Sequence, residues 1–133
     1  MEENFEILLI DDDIIIQKLH HHIFKKTTNS PIKTFSNGLE AKEYFDQNFS
    51  SKRNYLIFLD LNMPYMNGWE FLEYCQAKYP NAKIQVVILT SSPFKKDQIK
   101  ASSYKQVLLY KIKPLYKEHV NEILTSIELP CST

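Results

Sequence analysis

Five short apolar runs punctuate this chain: Ile7 to Ile10, Ile32 to Phe35, Tyr55 to Leu59, Ile84 to Leu89 and Val107 to Tyr110. Most are rich in Leu, Ile or Val, and segments of helical period separate them. That alternation predicts parallel strands joined by crossover helices, in a sheet buried on both faces. The first helix is expected over Ile14 to Lys26, with the Asp13 carboxylate capping its start. Asn37-Gly38 turns the chain into a second helix near Leu39 to Phe49, with Ala41, Tyr44 and Phe45 on one side. Asn67-Gly68 leads into a third helix through Phe71, Leu72 and Cys75, stopped at Pro80-Asn81. Pro93 is expected to open a fourth helix at the first-turn position. The sequence FKKDQIKASSYKQ carries few apolar anchors, so that element should be short and mobile. The last helix shows a stripe at Val120, Ile123, Leu124 and Ile127, and Pro130 to Thr133 should fray. One α/β domain over residues 1–133 accounts for all of it, with a core at 5–127 and a tail at 128–133.

Four of the five runs lead into a polar group. Ile10 is followed by Asp11-Asp12-Asp13, Leu59 by Asp60, Leu89 by Thr90, and Tyr110 stands just before Lys113-Pro114. Open parallel sheets bind ligands outside the carboxyl ends of their strands, so Asp11, Asp12, Asp60, Thr90 and Lys113 are expected to converge. Carboxylates brought that close need a cation, since two unit charges about 4 Å apart repel by roughly 4 kcal/mol even at an effective dielectric of about 20. Hard carboxylate oxygens, water and a backbone carbonyl near Asn62 suit magnesium. Asp60 is then the natural nucleophile for an aspartyl-phosphate. Lys113 would neutralise charge on the transferring oxygens, and the Thr90 hydroxyl can donate to them.

Composition narrows the classes of partner. The formal net charge is zero, which gives no reason to expect nucleic acid or an acidic membrane. No apolar run approaches the roughly 20 residues that span a bilayer, and no leader is evident; a soluble, cytoplasmic protein is expected. Cys75 and Cys131 show no metal or redox spacing. Cys75 reads as a core hydrophobe and Cys131 as a tail residue.

The acidic pair after LLI, the segment LDLNMPYMNG around Asp60, Thr90 after VVIL, Tyr110 and Lys113-Pro114 occur in one order along Phe5 to Ile127. In these features the chain resembles the receiver domain of bacterial two-component response regulators, of the stand-alone chemotaxis type. That resemblance implies a flavodoxin-like, doubly wound, five-stranded parallel sheet of order 2-1-3-4-5 with five helices. It implies phosphoryl acceptance at Asp60 from a sensor histidine kinase or histidine phosphotransfer protein. Mg2+ would be held by Asp11, Asp12, Asp60 and the Asn62 carbonyl, and Lys113 would contact the phosphoryl oxygens. Thr90 would move toward the phosphoryl group while Tyr110 rotates inward, and the Lys113-Pro114 bond would be cis. The message would pass to an unidentified protein target through the fourth helix, fifth strand and fifth helix; a phosphorylation-dependent homodimer stays open. Catalysis would be limited to the protein's own phosphorylation and dephosphorylation.

Plainer readings stand beside these. Asp13 is assigned to the helix cap rather than to a metal. His20-His21-His22 occupy consecutive helix positions about 100° apart and cannot share an ion; they read as a solvated or half-buried helix face. Lys95, Lys96, Lys100 and Lys105 read as a solvated surface, with docking of an acidic partner as the alternative. Trp69 and Tyr65 serve either kinase recognition or packing. An intermediate phosphorelay carrier is the nearest functional variant. A haloacid-dehalogenase-like phosphatase would need a second acid two positions after Asp60, where Asn62 stands. A flavin carrier would want a phosphate-cradling loop where Asp11-Asp12-Asp13 would repel phosphate. Two departures from the family pattern are Ser91, where many relatives have alanine, and the missing glycine before the fifth strand.

Overall fold

The most continuous apolar runs become the central strands. The computed structural model describes residues 5–131, with side-chain surroundings defined for 5–127. Its strands are β1 (Phe5–Ile10), β2 (Ile32–Phe35), β3 (Asn54–Leu59), β4 (Ile84–Thr90) and β5 (Val107–Ile112). Between and after them run α1 (Ile14–Thr27), α2 (Gly38–Asn48), α3 (Gly68–Lys78), α4 (Lys95–Ser102) and α5 (Lys117–Cys131). All strand pairs are parallel, and the sheet order is β2-β1-β3-β4-β5. Thus β1, β3 and β4 are buried nearly throughout, while edge strands β2 and β5 are partly open.

Alternation along each central strand divides the core in two. Leu8, Ile10, Ile57, Leu59, Val86 and Ile88 meet Ala41, Phe45, Phe71, Leu72, Cys75 and Ala101 on the side of α2, α3 and α4. Ile7, Leu9, Leu56, Phe58, Val87 and Leu89 meet Phe24, Val120, Ile123 and Ile127 of α1 and α5. Winding therefore reverses between β1 and β3, and the loops after both open at the same edge.

Helix α1 starts at its expected cap, and the asparagines of the two expected turns cap α2 and α3. Asp13 accepts from the N–H groups of Ile15 and Ile16, and Asn37 from that of Glu40. Asn67 and Glu70 form a reciprocal capping box at α3. Neither glycine has positive φ; both are required by close approach. A Cβ on Gly68 would overlap the Asp60 carbonyl oxygen and press on the Leu61 Cα at 2.9 Å.

Two expectations need correction. Pro93 does not open α4: the helix starts at Lys95 with Phe94 as its cap residue. The Ser92 hydroxyl, bonded to Asp97 at 2.7 Å, and the Phe94 N–H, donating back to it at 3.4 Å, hold that segment outside the helix. The expected tail at 128–133 overlaps α5, which continues to Cys131. Residues 132–133 lie outside the described residues. The turn before β5 forms without glycine, because the Ser102 and Ser103 hydroxyls donate back to the Ile99 and Lys100 carbonyls.

Candidate functional site

Parallel strands bring the acidic ends together. The Asp60 N–H donates to the Ile10 carbonyl at 3.0 Å, which sets the end of β3 beside the end of β1. Asp11, Asp12 and Asp60 each offer a carboxylate oxygen within 4.8 Å of the others. Asp11 and Asp60 are buried, whereas Asp12 faces solvent. From the end of β5, Lys113 Nζ reaches Asp11 Oδ2 at 3.1 Å and Asp60 Oδ2 at 3.5 Å. Its backbone N–H donates to the Thr90 carbonyl at 2.9 Å, and its bond to Pro114 is cis.

Crowding shows in the acidities. Burial, then the Asp11 charge, push the Asp60 carboxyl up to about 6, against the pull of Lys113 and of the Asn62 N–H. Asp11 is also raised, first by burial, while the Asp13 N–H and Lys113 oppose the rise. Burial acts against the Lys113 ammonium, yet the charges of Asp11 and Asp60 outweigh it and hold the group above its ordinary value. Three carboxylates and one ammonium leave two negative charges in a largely buried space, which a divalent cation would balance. The donors are hard oxygens, and among the described residues no thiol or imidazole joins the cluster. They fit magnesium.

Thr90 and Tyr110 meet at Ser92. The buried Thr90 hydroxyl accepts from the Ser92 N–H at 3.3 Å, and the half-buried Tyr110 hydroxyl donates to the Ser92 carbonyl at 2.8 Å. Asn62 is exposed beside Asp60, and Ser91 is exposed after Thr90. Tyr65 is 84% exposed in a left-handed conformation, φ 65°. Trp69 is instead tied into packing, stacked on Tyr104 and covered by Lys100 Nζ at 4.3 Å. All four lysines of this surface, Lys95, Lys96, Lys100 and Lys105, are exposed, and Lys100 is the one engaged with an aromatic ring.

Two supporting residues escaped the sequence reading. The Gln17 amide donates to the carbonyls of Phe35, at 2.8 Å, and Asp11, at 3.3 Å. His20 is not on a solvated face: it is 2% exposed, and its Nε2 accepts from the Leu115 N–H at 3.0 Å. A helical count from Phe24 back through His20 to Gln17 marks one inward stripe of α1 and would have found both. His21 is half-buried and His22 exposed, as expected.

A five-stranded parallel sheet of this order, with an acidic cluster and a lysine at its carboxyl edge, defines a receiver. The family model for the response regulator receiver domain matches residues 7–125, and the chain belongs to that family. It is similar to the chemotaxis protein CheY of Listeria monocytogenes, 28% identical over 119 residues, covering 90% of this chain and 94% of that protein. A two-component response regulator from Cytophaga hutchinsonii is 30% identical with TM-score 0.79, over 95% of this chain and 98% of the other. A CheY-like receiver domain protein from Methanospirillum hungatei, 19% identical with TM-score 0.76 over 91% and 90% of the two chains, shares the fold. No helix among the described residues is long and apolar enough to cross a membrane.

Proposed function

We propose that this chain is a single-domain response regulator. Its Asp60 carboxylate accepts a phosphoryl group, with Mg2+, from a sensor histidine kinase or histidine phosphotransfer protein in the cytoplasm. One observation carries this reading: Asp11, Asp12 and Asp60 meet beside Lys113 at a single edge of the sheet. When bound, the ion would be held by Asp11, Asp12, Asp60 and the Asn62 carbonyl, and would neutralise charge on the transferring oxygens. An Asp60 oxygen bonds to phosphorus as the donor's phosphorus–nitrogen bond breaks; the imidazole leaves with that electron pair and takes a proton from solvent. Lys113, already within 3.5 Å of Asp60, stabilises the new oxyanions. Water later cleaves the acyl phosphate, and no other catalysis is assigned to the chain.

Signal output follows from Ser92. If Thr90 turns its hydroxyl to the phosphoryl group, the Ser92 N–H loses its acceptor, and the Tyr110 hydroxyl rests on the same residue. Phe94, Ile99, Leu108, Ile112 and Tyr116 expose apolar surface on and beside α4, β5 and the start of α5, where a protein target or a second copy of the chain would dock. Ile14, Ile15 and Tyr65 expose apolar surface a few residues from Asp12 and Asn62, in reach of the phosphodonor. No role with nucleic acid or membranes is assigned. Incubation with Mg2+ and acetyl phosphate should raise the intact mass by one phosphoryl group, and Asp60→Asn should abolish the gain. Equal labelling of that variant would place the acceptor elsewhere.

A further inference from the structure

Lys113 stands at the end of the last strand, and what holds it there is a short list. Its own N–H completes the ladder on the Thr90 carbonyl. Pro114 has no N–H to give. The next donor is the Leu115 N–H, and its acceptor is the imidazole Nε2 of His20, from the middle of α1 and 95 positions away in sequence. Both partners are buried, His20 at 2% and Leu115 at 1% exposure, so water does not replace the bond. One residue on, the Tyr116 N–H donates to His119 Nδ1 at 3.2 Å, an exposed contact at the start of α5. The Lys113 segment is therefore fixed on one side by the β4 carbonyl and on the other by a side chain of α1.

We infer that His20 is a positioning residue for the phosphoryl site: its Nε2 holds the turn after β5 so that the Lys113 ammonium lies between Asp11 and Asp60. An acceptor at this place must be neutral at Nε2, with the proton on Nδ1. Burial, with the Lys113 charge acting in the same direction, lowers the imidazole to about 4, so the accepting form prevails at neutral pH. A leucine would pack there equally well but would leave the buried Leu115 N–H without a partner, which favours a shifted turn. Displacing a charge-stabilising group by about 1 Å can cost about a hundredfold in rate. Because Lys113 acts on the transferring oxygens rather than on substrate capture, the loss should fall on the maximal rate.

The rate arm rests on the phosphoacceptor reading of Asp60; the structural arm does not. Wild type, His20→Gln and His20→Leu are compared with acetyl phosphate and saturating Mg2+ by intact-mass time courses. Mg2+ affinity is read from Trp69 fluorescence, and folding from circular dichroism. His20→Gln keeps an oxygen that can accept and should stay within about threefold of wild type, whereas His20→Leu should slow the maximal rate at least about tenfold. Half-saturation by donor and Mg2+ affinity should move less than about twofold in either. His20→Met, whose thioether is only a weak acceptor, replaces a leucine variant that fails to fold. A leucine variant at wild-type rate, or a glutamine variant as slow as the leucine one, overturns the inference. If wild type itself gains no phosphoryl group, the reading of Asp60 fails, and crystal structures of the variants still decide the positioning. Lys113 should leave Asp11 in His20→Leu and stay in His20→Gln; an unmoved lysine in both overturns the inference.

Discussion

Asp60→Asn tests the crowding of the site directly, because it removes one of three carboxylates while keeping the side chain's shape. Lys113 retains Asp11 at 3.1 Å, so no ammonium is left alone. Burial and the Asp11 charge raise the folded Asp60 carboxyl from 3.8 to about 6. An acid whose folded value lies above its unfolded one favours folding while protonated. That contribution is whole below pH 3.8 and is lost as pH rises through about 6. At about 1.4 kcal/mol per pH unit, ionised Asp60 costs the metal-free fold about 3 kcal/mol at pH 7.5 and about half that at pH 5. Urea unfolding in EDTA, followed by far-UV circular dichroism, should therefore show Asp60→Asn more stable than wild type at pH 7.5, with the difference about halved at pH 5. Magnesium at about a hundred times its Kd adds about 2.7 kcal/mol to wild type, so it should close most of the gap. A gain that ignores pH between 5 and 7.5, or a variant less stable than wild type at pH 7.5, would refute the reasoning.

Lys113→Ala should still bind Mg2+, read from Trp69 fluorescence, but lose the phosphorylation-linked change in amide exchange of α4; an unchanged response would remove Lys113 from the switch. In Gly68→Ala the new methyl meets backbone at Asp60 and Leu61, which cannot rotate away. Overpacking of that kind should lower stability by about 1 to 3 kcal/mol in urea unfolding and slow phosphorylation, and a wild-type profile in both assays would contradict the close approach. Tyr110→Phe removes the bond to the Ser92 carbonyl and should cost about 1 kcal/mol by the same unfolding assay. Its phosphorylation rate should hold while the α4 response changes; an unaltered response would detach Tyr110 from signal output.

The central strands could be read because burial on both faces leaves no polar alternation: Leu56-Ile57-Phe58-Leu59 is apolar without interruption, and β3 is buried along it. Edge strand β5 is longer than its apolar run, since Lys111 and Ile112 continue to pair with Leu89 and Thr90 although both are polar or exposed. Pairing there depends on a neighbour rather than on composition. The acidic site could be read because Asp11 and Asp60 follow directly on strands, with Asp12 next to Asp11, so local pattern implied spatial meeting. His20 and Gln17 could not be read that way. Each serves a backbone group set by another part of the chain, Leu115 for one and Phe35 for the other. The histidine triplet also drew attention to a metal question that helix geometry closes, instead of to the single inward position among the three.

Thr90 and Tyr110 meet at the entrance to the least anchored of the helices whose side chains are described throughout, which under the proposed function gives the fold its direction of response. Among the helices whose side chains are described throughout, α4 buries only Ala101, whereas α3 buries Gly68, Phe71, Leu72 and Cys75. At about 25 cal/mol per Å2 of apolar area, one alanine secures far less than a Phe, a Leu and a Cys together. Lys100 over Trp69 also ties α4 to α3, and the turn after α4 is held there by the Trp69–Tyr104 stack and by the Tyr104 hydroxyl, which donates to Glu73 at 2.6 Å. The hydrogen bonds of Ser92 with Thr90, Asp97 and Tyr110 lie at the entrance to this helix. A few charge-assisted bonds to a phosphoryl group, each about 1.5 to 3 kcal/mol, are comparable with what holds α4 and small beside what holds the central strands. Under the proposed function, modification at Asp60 thus moves α4 before anything else, and the apolar surface at Phe94 and Ile99 moves with it.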